Sequence, residues 1–168
     1  LFTDRHNEAV ELLRSSKVLP SEHSRSSRQF YEWALIKKGL DHMKRSEYSE
    51  AIVVLTESKE WPENLGIGRP YDPDERLQDY LLGICHERLG NKSDSETAYQ
   101  VVMDYTREHP RTNLIRAYLG YIIMDNKGFL SETKRMAETI KKEYSPESQW
   151  FMAKISVNLN MLNGLQKS

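Results

Sequence analysis

Apolar residues recur every three to four positions along nearly the whole 168-residue chain, and no segment alternates between apolar and polar residues. This spacing is typical of α-helices that turn one face toward a core, whereas half-buried β-strands have a period of two residues. The helical segments are separated by short stretches rich in Pro, Gly, Ser or Asn. The sequence therefore predicts an all-α protein of about eight helices.

Helix-start signals divide the chain into an N-terminal helix and loop, three helix pairs and a C-terminal helix, all within one domain over residues 1–168. The predicted parts are residues 1–25, 26–62, 74–110, 112–144 and 145–164. The start signals are two capping boxes, whose side chains satisfy free amides of the first helical turn, and one N-cap aspartate followed by a proline at the first helical position. They are Ser26 with Gln29, Ser93 with Glu96, and Asp72 followed by Pro73.

Three glycines, Gly39, Gly83 and Gly120, lie inside predicted helices. A glycine there costs about 1 kcal/mol relative to alanine, so three of them indicate a shared cause. We expect close approach of a neighbouring helix, which leaves room for almost no side chain. Twelve and sixteen residues after the first two glycines, the second helix of the pair carries a small and then a bulky residue. These are Ala51 and Leu55 in one pair, and Ser95 and Tyr99 in the next.

This arrangement, with Pro62 and Pro110 near the ends of the pairs, resembles the tetratricopeptide repeat over residues 26–144. The resemblance implies a right-handed superhelix of antiparallel helix pairs. The glycines are 44 and 37 residues apart, against a family repeat of 34, and an insertion over residues 65–74 accounts for the longer interval. In the third pair, Met136 fits the bulky position, but Glu132 stands where the family has a small residue.

A narrower resemblance involves residues 61–76 and 18–22. These segments are similar to the helical C-terminal region of large bacterial proteins, which in turn resemble carbohydrate-associated enzymes with upstream β-sandwich domains. The resemblance implies that the chain is the repeat module of a longer protein and does not imply catalysis. Since the chain begins at Leu1 rather than at methionine, we expect it to be a fragment or a processed product.

The long irregular stretch over residues 62–71 is the candidate binding site. Connections longer than roughly 12 residues usually have a function, and arginines beside a helix start can bind anions. We expect these side chains to converge beside the predicted helix start at Asp72. The candidate binding residues are Asn64, Arg69, Tyr71, Asp74, Arg76 and Tyr80. The alternative is a loop that only joins two helices, with Asp72 as a cap and Arg69 in an ordinary ion pair.

Composition argues against several other classes of function. With 24 basic and 25 acidic residues, the chain lacks the basic excess of a general nucleic-acid binder, and no apolar run approaches the roughly 20 residues of a membrane span. The histidines do not have metal-ligand spacing, and Cys85 has no cysteine partner. We therefore predict no metal, no cofactor and no catalytic residues. A single cysteine fits a reducing compartment, which favours a cytoplasmic over a periplasmic location without deciding it.

In a repeat of this kind, the first helix of each pair lines an inner face. That face would be apolar, so a clamp for a C-terminal carboxylate is disfavoured, and it could hold the chain's own first or last helix, a peptide or an upstream domain. Its predicted members are Trp33, Ile36, Leu40, Met43, Leu77, Tyr80, Ile84, Glu87, Leu114, Ala117, Tyr121 and Met124. The basic residues Arg14, Lys17, Arg25 and Arg28 are interpreted as a solvated face, or as a surface for an acidic partner.

The sequence thus favours a protein-binding or scaffold module that docks a peptide, a partner protein or an upstream domain of its own chain. Two alternatives remain open at this stage. One is a non-catalytic or site-completing part of a carbohydrate-active enzyme, and the other is a self-association module. The oligomeric state and the identity of the partner are not predicted.

Overall fold

A computed structural model describes residues 5–19, 24–110 and 113–128. These residues form six α-helices and one short 3-10 helix, and none of them lies in a β-strand, so the predicted all-α class is confirmed. The α-helices are α1 His6–Ser15, α2 Ser24–Lys44, α3 Tyr48–Glu57, α4 Arg76–Arg88, α5 Lys92–Glu108 and α6 Leu114–Asn126, and the 3-10 helix is Glu63–Leu65. The predicted helices after residue 128, with Glu132 and Met136, lie outside the described residues.

Helices that follow one another in the chain pack against one another. Three residues connect α2 to α3, and three connect α4 to α5, so each pair forms a helical hairpin. One hydrophobic cluster runs from α2 to α6, and a second joins α1 to α2, α3 and the buried Leu65. No helix within the described ranges has the length and apolar character needed to cross a membrane.

The three mid-helix glycines lie where the helices touch, as predicted. A Cβ atom built on Gly39 would lie 2.8 Å from Leu55, and one on Gly83 would lie 2.4 Å from the Tyr99 ring. One built on Gly120 would lie 2.2 Å from Thr106. Real Cβ atoms do not approach other heavy atoms this closely, so the absence of a side chain sets the spacing between these helices.

The predicted helix-start signals are wrong in position. Helix α4 begins at Arg76, so Asp72 and Pro73 lie in the preceding loop, where the Asp72 carboxylate is 3.0 Å from His109 Nε2. Helix α2 begins at Ser24 and α5 at Lys92. Ser26 and Ser93 therefore lie inside the first turns of these helices, beyond the N-cap position that a capping box requires.

The predicted inner face is mostly core. Its buried members, which belong to the cluster from α2 to α6, are Ile36, Met43, Tyr80, Ile84, Ala117, Tyr121 and Met124. Trp33 and Glu87 are exposed. Helix α1 does not cover this face, because Val10 packs with Tyr31 and Ala34 in the other cluster.

Candidate functional site

The structure separates the six predicted site residues into three groups, the first of which is Asn64 alone. Its side-chain amide donates hydrogen bonds to the backbone carbonyls of Leu13 and Ser16, at 2.9 and 2.7 Å. The backbone carbonyl of Asn64 accepts a hydrogen bond of 2.7 Å from the backbone amide of Val18. These carbonyls lie at the C-terminal end of α1, where helical partners are lacking, so Asn64 fastens the loop to α1.

Arg69, Tyr71 and Tyr80 do not converge with the other predicted residues. Arg69 is exposed and pairs with Glu75 at 3.0 Å, and Tyr71 is fully exposed. Tyr80 is buried, with its ring centroid 6.1 Å from that of Tyr99. Tyr80 and Tyr99 line a separate pocket of about 840 Å³ between the ends of α4, α5 and α6.

Asp74 and Arg76 do meet, as predicted. The Arg76 guanidinium donates to both Asp74 carboxylate oxygens, at 2.9 and 2.8 Å, and reaches Thr106 Oγ1 at 3.3 Å. It also lies over the Tyr105 ring, 5.0 Å from the centroid. Arg76 is only 1% exposed, so this two-point ion pair joins the loop to α4 and α5 inside the protein.

A cavity of about 240 Å³ lies beside this ion pair, between α2, the loop, α4 and α6. We call it the polar cavity, because most of its lining side chains carry nitrogen or oxygen atoms. It is lined by Arg28, Glu32, Trp61, Pro70, Asp72, Pro73, Asp74, Glu75, Gln78 and Arg116. The loop thus forms one wall of a cavity whose other walls come from three helices.

Glu32 joins the three helices around the polar cavity. Its Oε1 accepts a hydrogen bond of 2.8 Å from Gln78 Nε2 on α4 and one of 2.7 Å from Arg116 Nη2 on α6. The other guanidinium nitrogen of Arg116 donates to the backbone carbonyl of Asp74. Charged hydrogen bonds of this kind hold the wall residues in fixed positions.

Arg28 has the longer ion-pair contact of the two cations that line the cavity. It is 4% exposed, donates to the Ser58 carbonyl at 2.8 Å, and has only a 3.5 Å contact with Glu32. Its guanidinium lies 4.4 Å from the centroid of the Trp61 ring, a cation–π contact. Burial lowers the pKa of Arg28. The prediction that Arg28 belongs to a solvated face is wrong, because the loop and Trp61 cover it.

A second layer of charges lies behind the wall. Lys59 Nζ is 2.6 Å from Asp79 Oδ1 and 3.3 Å from Glu75 Oε2. Burial opposes the charge of Lys59, but the hydrogen bond and charge of Asp79, with the charge of Glu75, raise its pKa. This layer therefore holds a partly buried cation between two carboxylates.

The charges of both layers are balanced. Four cationic side chains pair with four carboxylates, while Asp72 of the lining pairs with His109 and the exposed Arg69 adds a second cation at Glu75. The cations are Arg28, Lys59, Arg76 and Arg116, and the carboxylates are Glu32, Asp74, Glu75 and Asp79.

Three buried atoms of the lining residues have no hydrogen-bond partner among the described residues. They are Arg28 Nε, Trp61 Nε1 and Gln78 Oε1. The orientation of the Gln78 amide is fixed, because its nitrogen donates to the Glu32 carboxylate, which can only accept. All three atoms belong to residues that line the polar cavity, and they are buried from solvent.

The sequence did not predict the roles of Glu32, Gln78 and Arg116 in the cavity wall, or the burial of Arg28. One signal was available, since Gln78 and Asp79 interrupt an apolar segment between Leu77 and Tyr80. No group of three or more His, Cys, Asp or Glu side chains that could hold a metal ion occurs within the described part of the chain. Cys85 is buried, and burial raises the pKa of its thiol to about 12, so it is protonated at neutral pH.

Comparisons of the chain with protein-family models, with curated proteins and with solved structures found no match.

Proposed function

We propose that this chain is a binding module that docks a protein segment at the polar cavity, with no catalytic role. The partner is a peptide, another protein or an upstream domain of a longer chain. In this proposal, the helical hairpins continue as a tetratricopeptide-like right-handed superhelix. The close glycine contacts within the pairs α2–α3 and α4–α5 support that arrangement.

The observation that carries the proposal is the set of unused polar atoms in the cavity wall. Buried polar atoms in folded proteins nearly always have hydrogen-bond partners, and each one without a partner costs about 1–3 kcal/mol. Here three such atoms belong to side chains that line one cavity: Arg28, Trp61 and Gln78. A segment that enters the cavity, displaces the side chains that cover these atoms and supplies their partners would gain free energy on binding.

Exposed aromatic residues favour a protein segment as the partner. Phe30 and Trp33 lie on α2, which also carries the lining residues Arg28 and Glu32; they are 46% and 47% exposed and form an edge-to-face pair with centroids 6.4 Å apart. Tyr71 lies in the loop next to the cavity-lining residues Pro70 and Asp72. Exposed Trp, Phe and Tyr residues beside polar groups are typical anchors of protein interfaces.

The proposal predicts that closing the cavity mouth abolishes binding. Peptides that bind the wild-type chain would first be selected from a random displayed library. Their Kd values would then be measured by calorimetry. Asp72→Trp places a large ring at a half-exposed residue of the cavity lining. We expect it to raise the Kd of the selected peptides by about tenfold or more, since the loss of one anchored contact costs about 1–3 kcal/mol.

Val53→Trp is the matched control, because it introduces the same residue on α3 at a side chain that is 66% exposed and does not line the cavity. It should leave the Kd within about twofold of wild type, as near-neutral surface changes do. Circular dichroism and thermal unfolding would show that both variants retain the fold. If the selected peptides bind both variants as tightly as the wild type, the cavity is not their binding site and the proposal fails.

A further inference from the structure

We infer that helix α1 regulates the polar cavity, with Asn64 as the positioning residue that holds the loop wall while α1 is docked. This inference rests on the proposed function and adds a means of controlling it. None of the described residues of α1 lines the cavity, so the control acts at a distance. It depends on the contacts between α1 and the loop, and on how few contacts keep α1 in place.

The loop is fastened to α1 between two residues of the cavity wall. Trp61 and Pro70 line the cavity, and Asn64 and Leu65 lie between them in the chain. The Asn64 side chain donates to two backbone carbonyls at the C-terminal end of α1, at 2.9 and 2.7 Å. The Leu65 side chain is fully buried in the cluster that contains Val10 of α1. Undocking of α1 would therefore break the first anchor and uncover the second.

Trp61 connects this anchor to the cavity. Its ring covers the buried Arg28 guanidinium, which lies 4.4 Å from the ring centroid. Pro62, with φ of −61°, joins Trp61 to the 3-10 helix Glu63–Leu65. Because the proline ring restricts this angle, a movement of the 3-10 helix is passed on to Trp61. The position of a wall residue thus depends on the docking of α1.

Helix α1 is held less firmly than the core. It has ten residues, of which His6 and Val10 are buried, and a helix of this length is not stable in water by itself. Its other contacts are polar: His6 Nε2 lies 3.0 Å from Asp41 Oδ2, and Arg14 donates to both carboxylate oxygens of Glu57. Elements with few buried apolar contacts open locally at a lower cost than core helices. Helix α1 therefore has a docked and an undocked state.

The coupling between α1 and the cavity is reciprocal. If docking of α1 lowers the Kd of the cavity by some factor, a saturating peptide must lower the undocked fraction of α1 by the same factor. Amide hydrogen exchange of the ¹⁵N-labelled 168-residue chain, followed by NMR, would measure that fraction. We expect the selected peptides to slow the exchange of the α1 amides by about tenfold, a typical coupling.

Val10→Asp tests the same factor from the other side. It places an unpaired carboxylate at a fully buried position, which is costly to desolvate, so α1 should undock. We expect the Kd of the selected peptides to rise by about tenfold, equal to the slowing of α1 exchange in the wild type. The amides of α5 should keep their wild-type exchange, which would show that the opening is local.

Asn64→Ala removes the link and leaves α1 otherwise intact. In this variant the peptides should slow α1 exchange by about threefold or less. Asn7→Ala, at an exposed residue of α1, is the matched control and should keep the wild-type Kd and coupling. The inference is overturned if the peptides do not slow α1 exchange, or if Asn64→Ala keeps the full factor. It is also overturned if Val10→Asp undocks α1 without raising the Kd. Should Val10→Asp unfold the whole chain, the wild type and Asn64→Ala decide the question.

Failure of this inference and failure of the proposed function are distinguishable. If the selected peptides lose affinity for Asp72→Trp but do not slow α1 exchange, the binding site stands and its control by α1 is wrong. If the peptides ignore Asp72→Trp, the proposed function fails and the peptide-free chain decides. Val10→Asp should then speed the solvent exchange of the buried Trp61 indole proton by about fivefold or more, and an unchanged rate would overturn the inference.

Discussion

Arg76→Met is expected to lower the free energy of unfolding by about 3–5 kcal/mol, which is typical when one partner of a buried ion pair is removed. The substitution keeps an apolar stem but leaves the Asp74 carboxylate without its two-point partner. It also removes the contacts with Tyr105 and Thr106. The nearest other cation is Arg116, whose Nη1 lies 3.9 Å from Asp74 Oδ1 and compensates only in part. Chemical denaturation monitored by circular dichroism would measure the loss.

Arg69→Met is the matched control, since Arg69 is exposed and Glu75 keeps a second cation, Lys59, at 3.3 Å. Surface ion pairs contribute about 0–1 kcal/mol, so this variant should unfold at nearly the wild-type denaturant concentration. The comparison separates the two arginines that the sequence grouped as ligand-binding candidates. Equal stability of both variants would show that Arg76 is not part of a buried ion pair.

Gly83→Ala is expected to destabilise the chain by about 1–3 kcal/mol, as overpacking of a close contact does. Alanine is the better helix former by about 1 kcal/mol, so an exposed glycine would give the opposite sign. At this position the new Cβ would lie 2.4 Å from the Tyr99 ring. We expect a smaller loss for Gly39→Ala, because its Cβ would lie 2.8 Å from the flexible Leu55 side chain.

Gly68→Ala provides the control for this series. No heavy atom lies within 4 Å of the Cβ position at Gly68, and the substitution restricts the unfolded chain. It should therefore leave stability unchanged or raise it by up to about 1 kcal/mol. Thermal and urea unfolding of the three variants would give the ranking. If Gly83→Ala is as stable as Gly68→Ala, the close packing of α4 against α5 is contradicted.

The hairpin contacts could be predicted from the sequence because they depend on local spacing. Gly39 and Leu55, like Gly83 and Tyr99, are sixteen residues apart within one helix pair, and a short turn leaves few ways to bring them together. The partner of Gly120 is Thr106 on the preceding helix α5, and this contact between hairpins was not predicted. The start of α4 was misplaced because the Asp72 carboxylate pairs with His109, the residue that follows α5, and does not cap a helix.

The sequence predicted only the part of the site that is formed by residues close together in the chain. Asp74 and Arg76 are two positions apart, and their pairing follows from local chain geometry. Glu32, Gln78 and Arg116 lie on three different helices, and only the tertiary packing brings their side chains together. Arg28 was interpreted as a solvated residue because basic residues are usually exposed, and nothing in the sequence indicates that Trp61 covers it.

The most direct test of the account is an isotope-filtered NOE measurement on the labelled chain with a selected, unlabelled peptide. The account predicts intermolecular NOEs from the Trp61 indole proton and from the Gln78 side-chain amide protons, because both residues line the polar cavity. A bound peptide whose intermolecular NOEs all arise elsewhere, for example at the exposed side chains of Leu12 and Val53, would contradict it.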